Sequence, residues 1–127
     1  MRKLILVIDD EEAVRKSFLL GLEDSGYEVW TAASGEGGLQ RIRERKPDLI
    51  YLDLKMPGLG GVETLREIRK SHKDIPVYIV TAFIREFLDQ LSLAAKEGIR
   101  FELINKPIGS DQILKISRAV LEAPSKI

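Results

Sequence analysis

Apolar and polar positions along this 127-residue chain follow two alternating rhythms. Short apolar runs at 4–8, 27–33, 48–53, 76–81 and 101–105 have the length and β-branched content of strands. Between them the spacing changes to three and four, the period of a helix with one face turned inward. Val14, Phe18 and Leu22 make the first such stripe, Leu39 and Ile42 the second, and Val62, Leu65 and Ile68 the third. Ile84, Phe87, Leu88, Leu91 and Ala95 predict a fourth helix over 84–97, and Ile113, Ile116 and Val120 a fifth over 110–121. The second and third helices are expected over 35–45 and 61–71. Punctuation agrees: Ser34 can cap the second helix, Gly26 and Gly98 close the first and fourth, and Pro124 stops the fifth. The glycines at 35, 37 and 38 make a weak first turn.

Strand–helix alternation without repeat or linker predicts an α/β fold with a parallel sheet and helices on both faces. Of the common doubly wound orders, the flavodoxin-like 2-1-3-4-5 fits five strands and places a switch point between strands one and three. One domain over 1–122 is expected, with 123–127 as a tail or the start of a linker.

Apolar residues at 44% and charged residues at 31% describe an ordinary globular chain. The formal net charge is zero, which argues against nucleic-acid binding as its main business. The absence of cysteine excludes disulfides and thiolate chemistry and suits a reducing compartment. No apolar run approaches a membrane span, and MRKLILVIDD is too short and too acidic for a signal peptide. A cytoplasmic protein is expected, without direct contact to nucleic acid or membrane.

The chemistry sits at the strand ends. The first strand ends in Asp9 and Asp10, the third in Asp53, the fourth in Thr81 and the fifth in Lys106, whereas the second ends in alanines. In the expected order the second strand is an outer one, so the polar groups converge on one rim of the sheet. Helix capping would not place polar groups after the four strands that lie side by side and none after the second. Three carboxylates at about 5 Å, with an effective dielectric near 20, repel by about 3 kcal/mol per pair. Such a trio must raise a pKa or take up a cation. All-oxygen ligands suit magnesium, and without histidine or cysteine at hand zinc is disfavoured. A carboxylate beside magnesium, a lysine and a hydroxyl amounts to a phosphoryl-transfer site.

Taken in order, LILVIDDE, LIYLDLKMPG, PVYIVTA and NKP resemble the receiver domain of bacterial two-component response regulators, over nearly the whole chain. The resemblance implies that Asp53 accepts a phosphoryl group from a histidine of a sensor kinase or phosphotransfer protein. It implies a signalling domain that promotes its own phosphorylation and dephosphorylation. Asp10, Asp53 and the Lys55 carbonyl would bind magnesium, with Asp9 helping through water. Lys106 would pair with the phosphoryl group, its bond to Pro107 cis. Thr81 would be the switch hydroxyl, remodelling the surface of the fourth helix, fifth strand and fifth helix, where partners or a second copy dock. Receivers usually carry an aromatic residue three positions before the lysine. Here that position is Leu103, and Phe101 lies two residues earlier on the same strand face. Thr81 and Lys106 also stand a few residues farther apart than usual, the excess falling around FIREF or EGIRFE. By the same analogy Lys55 and Phe83 tune the lifetime of the phosphoaspartate by obstructing water.

Three other readings fit the residues less well. A magnesium-dependent phosphatase of the haloacid-dehalogenase type wants an aspartate two residues after the nucleophile, where this chain has Lys55. A flavodoxin-like flavin binder wants a hydroxyl-rich phosphate loop after the first strand, where Asp9 to Glu12 would repel phosphate. A receiver-like interaction module that is never phosphorylated is disfavoured because each acceptor-site residue is present.

Overall fold

The computed structural model describes residues 1–122; the expected stop at Pro124 and the tail 123–127 lie outside them. Its elements run β1 (Leu4–Ile8), α1 (Glu12–Leu22), β2 (Glu28–Ala32), α2 (Gly35–Glu44), β3 (Leu49–Leu52), α3 (Gly61–Ser71), β4 (Val77–Thr81), α4 (Leu88–Lys96), β5 (Glu102–Asn105) and α5 (Ser110–Leu121). All five strands are parallel, in the expected order β2-β1-β3-β4-β5.

Side chains alternate across a strand, and this divides the core between the two sheet faces. Ile5, Val7, Leu49, Tyr51 and Val80 pack beneath α1 and α5 against Phe18, Leu22 and Ile113. Leu6, Ile8, Ile50, Leu52 and Ile79 face α2, α3 and α4, meeting Ile42, Leu65, Ile68 and Leu91. Strands β1 and β3 are buried along their whole length, which is why they read as unbroken apolar runs. The outer strands β2 and β5 are partly or largely open to solvent.

Local signals act as expected in several places. Ser34 accepts the Gly37 N–H at 3.0 Å and caps α2. At the end of α4, the N–H groups of Gly98 and Ile99 return to the carbonyls of Ala95 and Ala94, with Gly98 at φ +83°. Gly26, at φ +89°, does not close α1: the helix stops at Leu22, and the glycine belongs to the turn into β2.

The fourth helix departs from its expected course. Residues Arg85–Phe87 form a 3-10 turn, and the α-helix starts only at Leu88. A 3-10 turn advances three residues per turn, so the stripe read from Ile84 onward loses phase at Phe87. Leu91 and Ala94 become the buried pair, and Leu88 and Ala95 are exposed instead of inward. FIREF, one of the two stretches expected to hold extra residues, is this turn with its approach.

Candidate functional site

Backbone pairing fixes the site before any side chain is considered. The Asp53 N–H donates to the Ile8 carbonyl at 2.9 Å, holding the end of β3 level with the end of β1. The Lys106 N–H donates to the Thr81 carbonyl at 3.0 Å and does the same for β4 and β5. The chain leaves Asp53 through a tight corner into α3: a Cβ on Gly61 would collide with the Asp53 carbonyl and the Leu54 Cα. Only glycine lets α3 begin so close to the strand end.

The side chains gather as the strand order requires. Asp9, Asp10 and Asp53 each offer a carboxylate oxygen within 4.8 Å of the others. Asp9 and Asp53 are buried, and Asp10 is exposed. Lys106 Nζ lies 2.9 Å from Asp9 Oδ2 and 3.7 Å from Asp53 Oδ2. It also lies 3.4 Å from Glu11 Oε1. Thr81 is fully buried, and its Oγ1 accepts the Phe83 N–H at 3.1 Å. The Lys106–Pro107 bond is cis.

Burial and crowding set the charges. Asp53 is only 3% exposed, so desolvation, with the Asp9 charge beside it, pushes its carboxyl up to about 6 against the pull of Lys106. Desolvation also raises Asp9. Burial acts downward on the Lys106 ammonium, but its bond to Asp9 and the charges of Asp53, Asp9 and Glu11 outweigh that and raise it. Asp53 Oδ1 is buried without a hydrogen-bond partner among the described residues, although a buried polar atom normally has one. An orphaned carboxylate oxygen on a residue clustered with two further carboxylates fits a hard divalent cation with oxygen ligands. The donor set contains no sulfur or imidazole, so it does not fit zinc.

At the rim, Lys55 Nζ sits 4.5 Å from the centre of the Phe83 ring and 3.3 Å from Glu86 Oε2. Phe83 is 39% exposed. The two expected switch positions are not at this rim. Leu103 pairs with Ile79 and is open to solvent, while Phe101 precedes β5 and packs with the α4-side core. Because Thr81 is level with Asn105, Phe101 lies four residues down the sheet, about 13 Å away. Phe101 thus stands two residues farther from the threonine than Leu103, the position where receivers usually carry the aromatic residue.

Glu11 is a contact that the residue pattern did not disclose. It stood in an acidic run after β1 that reads as dipole-compensating charge, and nothing local ties it to Lys106, 95 positions away. Glu86 was likewise hidden by the unexpected 3-10 turn.

The chain as a whole has known relatives. Residues 5–118 match the family described as response regulator receiver domain. The alkaline phosphatase synthesis transcriptional regulatory protein PhoP of Bacillus subtilis is 42% identical over 121 residues, covering 95% of this chain and 49% of that protein. The chain thus spans about half the length of this curated relative. A CheY-like receiver domain protein from Methanospirillum hungatei superposes with a TM-score of 0.83 at 30% identity, covering 96% of each chain. A receiver domain protein from Clostridium thermocellum gives 0.78 at 36% identity, covering 94% of this chain and 95% of that one. Among the described residues, no helix is long and apolar enough to cross a membrane.

Proposed function

The chain belongs to the response regulator receiver domain family, and from that premise we propose that Asp53 is its phosphoacceptor. The observation that carries the proposal is the state of this carboxylate. It is buried, one oxygen lacks a partner, and a lysine and two more carboxylates surround it.

An Asp53 oxygen attacks the phosphorus of a phosphohistidine. A P–O bond forms as the P–N bond breaks, and the imidazole nitrogen keeps the electron pair. Before attack the carboxylate must be ionised, a condition met above about pH 6 in the metal-free protein. Lys106 supplies a fixed positive charge against the charge on the transferred oxygens. Asp10, Asp53 and the Lys55 carbonyl would hold magnesium, with Asp9 helping through water. The chemistry such an ion would supply there is neutralisation of the crowded carboxylates and of the phosphoryl oxygens. The Thr81 hydroxyl, which accepts the Phe83 N–H, would turn toward a phosphorylated Asp53. Its movement would pull on the Phe83–Phe87 segment and so on α4, a local electrostatic event biasing a two-state element.

A sensor histidine kinase or histidine phosphotransfer protein is the proposed donor, in the cytoplasm. The proposed output surface is α4–β5–α5, on which Leu88, Leu93 and Leu103 are exposed; it would serve a partner or a second copy. The phosphatase alternative gains nothing: where it wants an acid, Lys55 turns its exposed side chain to Glu86.

Incubating the protein with magnesium and phosphoramidate, with Asp53→Asn as control, tests the reading by intact mass. One stable phosphoryl group on the wild type and none on the variant is the expected result. Multiple-turnover phosphate release without a trapped intermediate would overturn it in favour of a phosphatase.

A further inference from the structure

Lys106 carries one positive charge and has three carboxylate neighbours. The nearest two, Asp9 at 2.9 Å and Glu11 at 3.4 Å, come from the turn between β1 and α1. The farthest, at 3.7 Å, is Asp53, the group that needs the ammonium once it carries a phosphoryl dianion. Glu11 is not placed there by accident of a mobile backbone. Its N–H is held by Asp9 Oδ1 at 2.9 Å, and its carbonyl accepts the N–H groups of Val14 and Arg15, both at 3.1 Å. Lys106 is the more constrained partner: its side chain is only 14% exposed against 62% for Glu11, and its backbone is tied to Thr81.

Asp9 and Glu11 differ in what a bound cation does to them. Asp9 belongs to the trio of carboxylates within 4.8 Å of one another, so a cation there engages its charge. Glu11 lies outside that trio and keeps its hold on the ammonium. We infer that Glu11 is a positioning residue that draws Lys106 away from Asp53 in the resting protein and competes with the phosphoryl group for it. The inference rests on the reading of Asp53 as acceptor and adds a restraint on it. A partly exposed carboxylate–lysine pair is weak, so the restraint amounts to about two- to fivefold in occupancy of the phosphorylated-like state.

Charge alone is separable from contact. Glu11→Asp keeps the charge and shortens the reach by one methylene, whereas Glu11→Gln keeps the length and removes the charge. The control is Glu12→Gln, which removes a neighbouring charge that faces Lys16 at 2.8 Å instead of the site. Beryllofluoride, a mimic of the phosphoryl group, is titrated by calorimetry into each protein at saturating magnesium. Both Glu11 variants are expected to bind it about two- to fivefold tighter than the wild type, and Glu12→Gln to match the wild type. In the metal-free proteins, the side-chain resonances of Lys106 shift in the Glu11 variants and stay in place in Glu12→Gln. Wild-type affinity in Glu11→Asp, or equal tightening in Glu12→Gln, overturns the positioning role alone. A wild type that binds no beryllofluoride overturns the acceptor reading, and the positioning role with it.

Discussion

Asp53 illustrates how a functional residue is held against its own physical preference. A buried aspartate crowded by Asp9 costs folding energy, because the folded protein resists the charge that the unfolded chain accepts freely. Its ordinary value near 4 rises to about 6. Stability from this group is therefore unaffected below about pH 4, falls as pH rises from about 4 to 6, and stays reduced above. Asp53→Asn should stabilise the metal-free protein at neutral pH by up to about 3 kcal/mol, and by little at about pH 4. Urea unfolding with a chelator at both pH values measures this; a neutral-pH loss of stability would contradict it. Magnesium should close much of the gap by stabilising the wild type more than the variant. Phe83 offers a second test at this scale. Its ring stands at the rim under Lys55, and Phe83→Ala should shorten the half-life of phospho-Asp53 severalfold by admitting water. An unchanged rate of loss of the phosphoryl group would remove the ring from the account.

At the scale of elements, what could be read from residue spacing and what could not divide along a physical line. β1, α3 and α5 have the bounds their patterns predict, because an apolar run or a 3.6-residue period persists from end to end. The start of α4 was not readable. The apolar residues at 84, 87 and 88 suit one continuous helix, and nothing in their spacing marks a 3-10 turn. The glycines of GEGG also carried a meaning hidden from propensity alone. They look like a weak helix start, yet a Cβ on Gly38 would strike the Ile8 side chain, so the helix gives up intrinsic stability for close approach to β1. Gly61 is the more consequential case, as its neighbours are backbone atoms that cannot step aside. Gly61→Ala should cost about 1–3 kcal/mol by overpacking and displace the corner after Asp53. Chemical denaturation reads the first effect and a weakened magnesium affinity the second; a variant as stable as the wild type would show that the corner yields.

On the scale of the whole molecule, strand order is what converts scattered residues into a site. Asp9, Asp53, Thr81 and Lys106 span nearly the entire chain, and they meet because β1, β3, β4 and β5 are consecutive in one sheet. That convergence was legible in advance, since polar groups followed only those strands. The lysine's third partner was not: Glu11 reaches it through side-chain length across the site, a distance that no periodicity encodes. Nor was the position of Phe101, which follows from the register of β5 on β4. The measurement that bears most directly on the central claim is chemical mapping of the modified side chain. The protein is exposed to phosphoramidate and magnesium, reduced with borohydride to convert an acyl phosphate to an alcohol, and digested for peptide mass spectrometry. Homoserine in place of Asp53, and at no other carboxylate, is the predicted result; an unmodified Asp53, or label spread over other residues, would contradict it.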